Sequence, residues 1–191
     1  MQATVNFAQN RLRTATLLPA ILICLMVLIG SGTSVAQTTS RPTNAAAPSD
    51  AQKAFETMKT LVGSWQGTVM GISINLTIRL ASSGTAILHE ATADGKRPPN
   101  HEITMFYVDG DRLLATHYCD AGNRPRWEGK LSPDGKTIEF NFLDVTGGTQ
   151  RGFVKRTAFT ITDANKHIVE LTFIMPDGKP LDARGEFERT K

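Results

Sequence analysis

Ile72-Ser73-Ile74-Asn75-Leu76-Thr77-Ile78-Arg79-Leu80 alternates aliphatic and polar residues without a break. A period of two puts every aliphatic side chain on one face of an extended strand, as in a half-buried antiparallel sheet. The same pattern returns downstream. Ile138, Phe140 and Phe142 alternate with Thr137, Glu139 and Asn141, and Val169, Leu171, Phe173 and Met175 repeat it. In the last segment Leu181, Ala183 and Phe187 share a face, opposite Asp182, Arg184, Glu186 and Glu188.

The strands are punctuated by Asp-Gly. It occurs in Ala93-Asp94-Gly95-Lys96, Asp109-Gly110-Asp111, Pro133-Asp134-Gly135-Lys136 and Pro176-Asp177-Gly178-Lys179. Asp and Gly both tolerate the positive φ of tight turns. The pattern predicts about ten strands, at 64–70, 72–80, 85–92, 101–109, 112–120, 124–131, 137–143, 151–162, 166–175 and 181–189. The count falls to nine if Gly71 is only a bulge. Sequential strands on short turns form an up-and-down meander, and a meander this long hides its edges by closing into a barrel. The expected fold is therefore all-β, an up-and-down antiparallel barrel with residues 64–70 paired to 181–189.

One short helix precedes the strands. Ser49 with Gln52 forms a capping-box pattern. Ala51, Ala54, Phe55, Met58, Leu61 and Val62 then recur at helical spacing, with Gly63 as the stop. Upstream, Gln37 to Ser49 is a Ser/Thr/Pro/Ala tether without periodicity, expected to be disordered.

Residues 1–36 read as a secretory signal. Arg11 and Arg13 form the basic n-region, Thr16–Ile29 the apolar run, and Ser34-Val35-Ala36 the cleavage site. An uncleaved anchor is the alternative, although the run is short of the roughly 20 residues of a membrane span. Cys24 follows Ile23 inside that run, which argues against lipidation. The expectations are a periplasmic or secreted protein, a monomer, with no membrane contact after cleavage. Its 50–191 segment forms one domain. Removal of 1–36 takes Arg11 and Arg13 from the 21 basic residues and none of the 18 acidic ones, leaving a net charge of +1. No basic run or aromatic-interleaved patch remains, so a nucleic-acid partner is not expected.

The densest chemistry lies in Arg112–Trp127, RLLATHYCDAGNRPRW, which reads as a hairpin turning at Ala121-Gly122-Asn123. His117 and Cys119 project from one strand face, about 6–7 Å apart, with Leu113 and Ala115. Tyr118 points the other way. Four readings of the pair stay open. It is a hydrogen-bonded core histidine beside a packed thiol, or the polar part of an apolar pocket. It gives one N and one S to a metal whose third ligand comes from a neighbouring strand, or it is an activated thiolate. No further ligand or orienting acid is marked by spacing, so neither a metal nor a cofactor is expected. Cys119 is the only Cys after the signal, so it forms no internal disulfide. Arg124 and Arg126 share a face and can offer paired donors to an acidic group. Pro125 suits an exposed edge. Asn123 suits a left-handed turn position, and Trp127 packing in the core or at the barrel mouth. Asp109 and Asp111 lack the loop of a calcium site.

The helix followed by Gly63-Ser64-Trp65 on the first strand resembles the Gly-x-Trp start of lipocalins and their calycin relatives. The strand count resembles the fatty-acid-binding-protein and nitrobindin branch. Through GTAILHE, VDGDRL and THYCDAGNRPR, most of 50–191 is similar to uncharacterised exported bacterial proteins of lipocalin-like type. The lipocalin resemblance implies an arginine from the far end of the chain over Trp65, with Arg184 and Arg189 as candidates. In nitrobindin-like proteins a histidine on the last strands binds haem. The last strand here has none, and His167 lies beside a turn.

No nucleophile elbow, P-loop, dinucleotide fingerprint or Cys-x-x-Cys is present. The leading expectation is a barrel binding a small apolar or amphipathic molecule, with His117, Tyr118, Cys119, Arg124, Arg126 and Trp127 as ligand-contacting residues. The alternatives are an enzyme using His117 with Cys119 or Tyr118, and a structural protein whose barrel is filled by side chains.

Overall fold

The computed structural model describes residues 47–94 and 101–190. The signal at 1–36, most of the 37–49 tether and the Gly95-Lys96 half of one turn lie outside the described residues.

The capping box forms as the sequence predicts. The Gln52 amide donates to Ser49 Oγ and the Ser49 amide to Gln52 Oε1, at 3.2 and 2.9 Å. This starts α1, Asp50–Lys59, which buries Ala51, Ala54, Phe55 and Met58. The helix ends at Thr60, before the glycine expected to stop it. Gly63 instead opens β1, Gly63–Val69, at φ 144°.

Nine more strands follow: β2 Ile72–Ala81, β3 Ala86–Ala93, β4 His101–Asp109, β5 Arg112–Tyr118, β6 Arg124–Leu131, β7 Thr137–Thr146, β8 Phe153–Asp163, β9 Lys166–Ile174 and β10 Pro180–Arg189. Each pairs with its sequence neighbour, and β1 closes the ring on β10. The closing register runs from Trp65↔Arg189 to Val69↔Gly185. Met70 and Gly71, at φ 52° and 76°, make a true turn between β1 and β2, so the strands number ten. In the three Asp-Gly turns that lie wholly within the described residues only glycine takes positive φ, at Gly110, Gly135 and Gly178. The Asp134 and Asp177 carboxylates accept the amides of Lys136 and Lys179 instead.

The inward faces meet in one core that includes Leu76, Ile78, Ile87, Phe106, Leu113, Ile138, Phe140 and Phe159. Phe55, Met58 and Leu61, from α1 and the residues after it, join this core. Trp65 is buried there, donating its indole N–H to Leu61 O at 2.8 Å. Of the two candidate arginines it is Arg189, on β10, that lies over the indole, 4.1 Å from the ring centre. Arg184 pairs with Glu186 on the outer face.

Candidate functional site

The barrel interior keeps a cavity of ≈ 170 Å³. Phe106, Trp127, Phe159, Leu171 and Phe187 are among the residues of its apolar wall, and His89, Glu102, Thr104, His117 and Thr157 line it with polar side chains. A second hollow of ≈ 170 Å³ shares Val69, Ile74, Ala91 and Glu102 with it and reaches the exposed Met70 and Ile72. The two spaces share one wall, and the second lies on the side of the β1–β2 turn, with Glu102 bordering both.

Cross-strand register builds the polar side. The Gly110-Asp111 turn pairs Asp109 with Arg112, so Thr104 stands opposite His117. Thr104 Oγ1 and His117 Nδ1 are 2.8 Å apart. This bond fixes the imidazole, which stacks on Trp127 with ring centres 5.2 Å apart. The indole is itself held by donating to Val154 O at 3.1 Å. His117 Nε2 is buried without a hydrogen-bond partner, as is Nε2 of His89. Burial holds both imidazoles down to about 4; for His89 the neighbouring His117 adds to it. Both are neutral at ordinary pH.

His117 Nε2 points toward Glu102, 3.8 Å from Oε2. The Cys119 thiol donates to Glu102 Oε1 at 3.6 Å. Ligand-type atoms of Glu102, His117 and Cys119 thus lie within 4.8 Å of one another. The Asp120 amide donates to Glu102 Oε1 and the Ala121 amide to Cys119 Sγ, at 3.3 and 3.5 Å. Burial pushes the free thiol up to about 12. An activated Cys–His pair needs the opposite, a thiol acidified by its base, and here the thiol faces a carboxylate.

The hairpin residues expected to contact one ligand are divided between two faces. His117 and Trp127 line the cavity. Cys119 is half-buried just past the end of β5. Tyr118, Arg124 and Arg126 lie on the outer surface, because the inward positions of the hairpin are Ala115, His117, Pro125 and Trp127. Arg124 covers the Tyr118 ring at 5.7 Å, and Arg126 makes a two-pronged pair with Asp144. The arginine fork therefore cannot reach a molecule inside the barrel. Asn123 is not a left-handed turn residue; Gly122 takes that position, at φ 83°. The Asn123 side chain is buried and donates to Gly148 O and Gly152 O, tying the β7–β8 loop to the hairpin.

No protein-family model and no curated protein matches the chain. Solved structures do. Rv2717c from M. tuberculosis is 16% identical with a TM-score of 0.55, over 72% of this chain and 98% of that one. The S-type phycobiliprotein lyase CpeS from Guillardia theta is 12% identical with a TM-score of 0.48, over 76% of this chain and 99% of that one. A DUF3598-family protein of unknown function from Nostoc punctiforme is 11% identical with a TM-score of 0.34, over 70% and 48%. At 16% identity the likeness to Rv2717c is one of fold alone.

The haem precedent of the nitrobindin branch does not fit this barrel. His167 is 1% exposed, edge-on to Trp65 at 4.3 Å and stacked on Phe187 at 5.4 Å. It does not line the barrel cavity; it borders a separate hollow with Lys166, Glu186 and Glu188.

Glu102, Thr104 and His89 are the site residues that sequence patterning missed. Glu102 and Thr104 were readable by counting back from the Asp109-Gly110-Asp111 turn, which sets Thr104 opposite His117 and Glu102 opposite Cys119. His89 had no such marker, because the connection from β3 to β4 is not a two-residue turn.

Proposed function

We propose that the chain is an exported barrel protein that binds one small apolar or amphipathic molecule, with a ring or short chain in the cavity. The observation that carries this reading is an apolar cavity into which His117 aims a buried, unpartnered Nε2. Leaving such an atom unpaired costs about 1–3 kcal/mol, which a ligand with a matching polar atom recovers. The volume sets the ligand's size. An engineered cavity of about 150 Å³ takes benzene, whereas drug-sized ligands occupy about 300–1,000 Å³. A long-chain acid, headed by the outer arginines, suits neither the volume nor the wall. A ring with one hydroxyl or N–H, and a short apolar extension toward Met70 and Ile72, suits both.

The basic start, apolar run and Ser34-Val35-Ala36 triplet support export and cleavage before Gln37. Monomeric action outside the cytoplasm goes with that proposal. The binding test is calorimetric titration with phenol, indole, cyclohexanol and decanoate. The first three bind one per barrel, decanoate weakly or not at all. Val169→Phe, which fills the cavity wall, removes binding while the β-type circular dichroism remains. Failure of every compound to bind supports the side-chain-filled structural barrel instead.

A further inference from the structure

We propose that Glu102, His117 and Cys119 form a binding site for a divalent, borderline-soft cation of the zinc type, at the junction of the barrel cavity and its rim. The site needs no organic ligand, but it uses the same His117 Nε2 as the binding reading above, so an ion there and a ring hydrogen-bonded to that nitrogen exclude each other.

Two paired strands and the turn after the second create it. His117 lies on the inner face of β5, Cys119 lies just past the end of that strand, and Glu102 reaches both from β4. Together they offer one imidazole nitrogen, one sulfur and one carboxylate, a donor set that suits zinc. Bonds of about 2.0–2.3 Å in a tetrahedron put ligand atoms roughly 3.3–3.7 Å apart. The Sγ–Oε1 and Nε2–Oε2 separations are 3.6 and 3.8 Å, and one ligand atom from each of the three residues lies within 4.8 Å of the others, so the side chains draw together slightly to close on an ion.

A cysteine beside a carboxylate would not by itself be a site. The second observation is His117, 6% exposed, whose Nε2 has no partner and faces the carboxylate. Its other nitrogen is held by Thr104 Oγ1 at 2.8 Å. With a cation on Nε2 the proton sits on Nδ1 and the threonine oxygen accepts it, the usual outer support of a metal-bound histidine. The Asp120 and Ala121 amides already donate to the carboxylate and the sulfur, so all three ligands are oriented before an ion arrives. A bound cation displaces the thiol proton outright. Three protein ligands leave a fourth position, which faces the cavity through Glu102 and His117.

The test is titration of the purified, metal-stripped protein with Co²⁺ under reducing conditions, followed by displacement with Zn²⁺. The expected result is one Co²⁺ per chain, with intense tetrahedral visible bands and a near-ultraviolet sulfur-to-cobalt charge-transfer band that Zn²⁺ abolishes. Cys119→Ser removes the charge-transfer band. Thr104→Val, one shell out, weakens binding by about 10–100-fold, and Glu102→Gln weakens it further. His101→Ala, on the outer surface, changes nothing. Circular dichroism and melting confirm that each variant is folded. If a variant fails to fold, the wild-type spectrum decides alone. Absence of the charge-transfer band in the wild type overturns the proposal, as does binding that survives Cys119→Ser at full strength.

Discussion

Thr104 Oγ1 sits 2.8 Å from His117 Nδ1, both side chains buried, on paired positions of β4 and β5. This contact aims the imidazole. Thr104→Val removes it and orphans a second ring nitrogen, since Nε2 already lacks a partner. The expected loss is about 1–3 kcal/mol, or several degrees of Tm for a chain of this size. Urea unfolding of the variant checks it, and an unchanged midpoint would show that the ring is held by Trp127 stacking alone.

The first strand and the last are locked at one corner. Arg189 lies over Trp65 and donates to the carbonyls of Thr60, Val62 and Ala164 at 3.0, 2.7 and 3.0 Å. A Cβ on Gly63 would overlap that guanidinium, and the residue holds φ 144°. Arg189→Met is expected to cost about 2–4 kcal/mol. Gly63→Ala costs about 1–3 kcal/mol through its backbone and also displaces the arginine. Because both changes break the same corner, the double variant should lose less than the sum of the two. Additive losses in a double-mutant cycle would count against this coupling.

Acid should loosen the barrel through its buried imidazoles. His167 is held at about 4 by burial, with His89 and Arg189 facing it as further positive or protonatable groups. An unfolded histidine titrates near 6.5. Below that value the unfolded chain takes up the proton first, so stability is full above about pH 6.5 and declines as pH falls toward 4. Between pH 7 and pH 5 one such group accounts for roughly 2 kcal/mol. His167→Leu should therefore show a smaller drop between those two pH values than the wild type. Equal drops in guanidinium unfolding would show that His167 accepts its proton without cost.

The exposed ion pair makes a contrasting prediction. Arg126 and Asp144 meet on the outer face of β6 and β7. Exposed pairs contribute little to stability, and this one is separated from the cavity by the barrel wall. Arg126→Ala should leave both the unfolding midpoint and the affinity for cavity ligands unchanged. Weakened binding in that variant would place the ligand outside the barrel.

Period-two patterning from Ile72 to Leu80, and again around Phe140 and Leu171, was enough to read the strands and their inward faces. Gly63-Ser64-Trp65 marked the corner that Arg189 closes. The Arg112–Trp127 hairpin was legible as two strands joined by a turn, but its two faces were not separated. On a strand the parity of Arg124 and Arg126 follows from that of Trp127, and Trp127 faces inward. The volume of the cavity could not be read, because it depends on how Phe106, Phe159 and Phe187 meet across the ring. The partner of Cys119 was within reach of the sequence, by counting back from the Asp109-Gly110-Asp111 turn to Glu102.

The proposed ligand is a small ring in the cavity beside His117. A crystal structure of the protein soaked with phenol or indole shows where such a ring sits. Density is expected among Phe106, Phe159 and Leu171, with the ring's polar atom within hydrogen-bond distance of His117 Nε2. An empty cavity at saturating ligand, or density confined to the outer surface around Arg124 and Arg126, would contradict it.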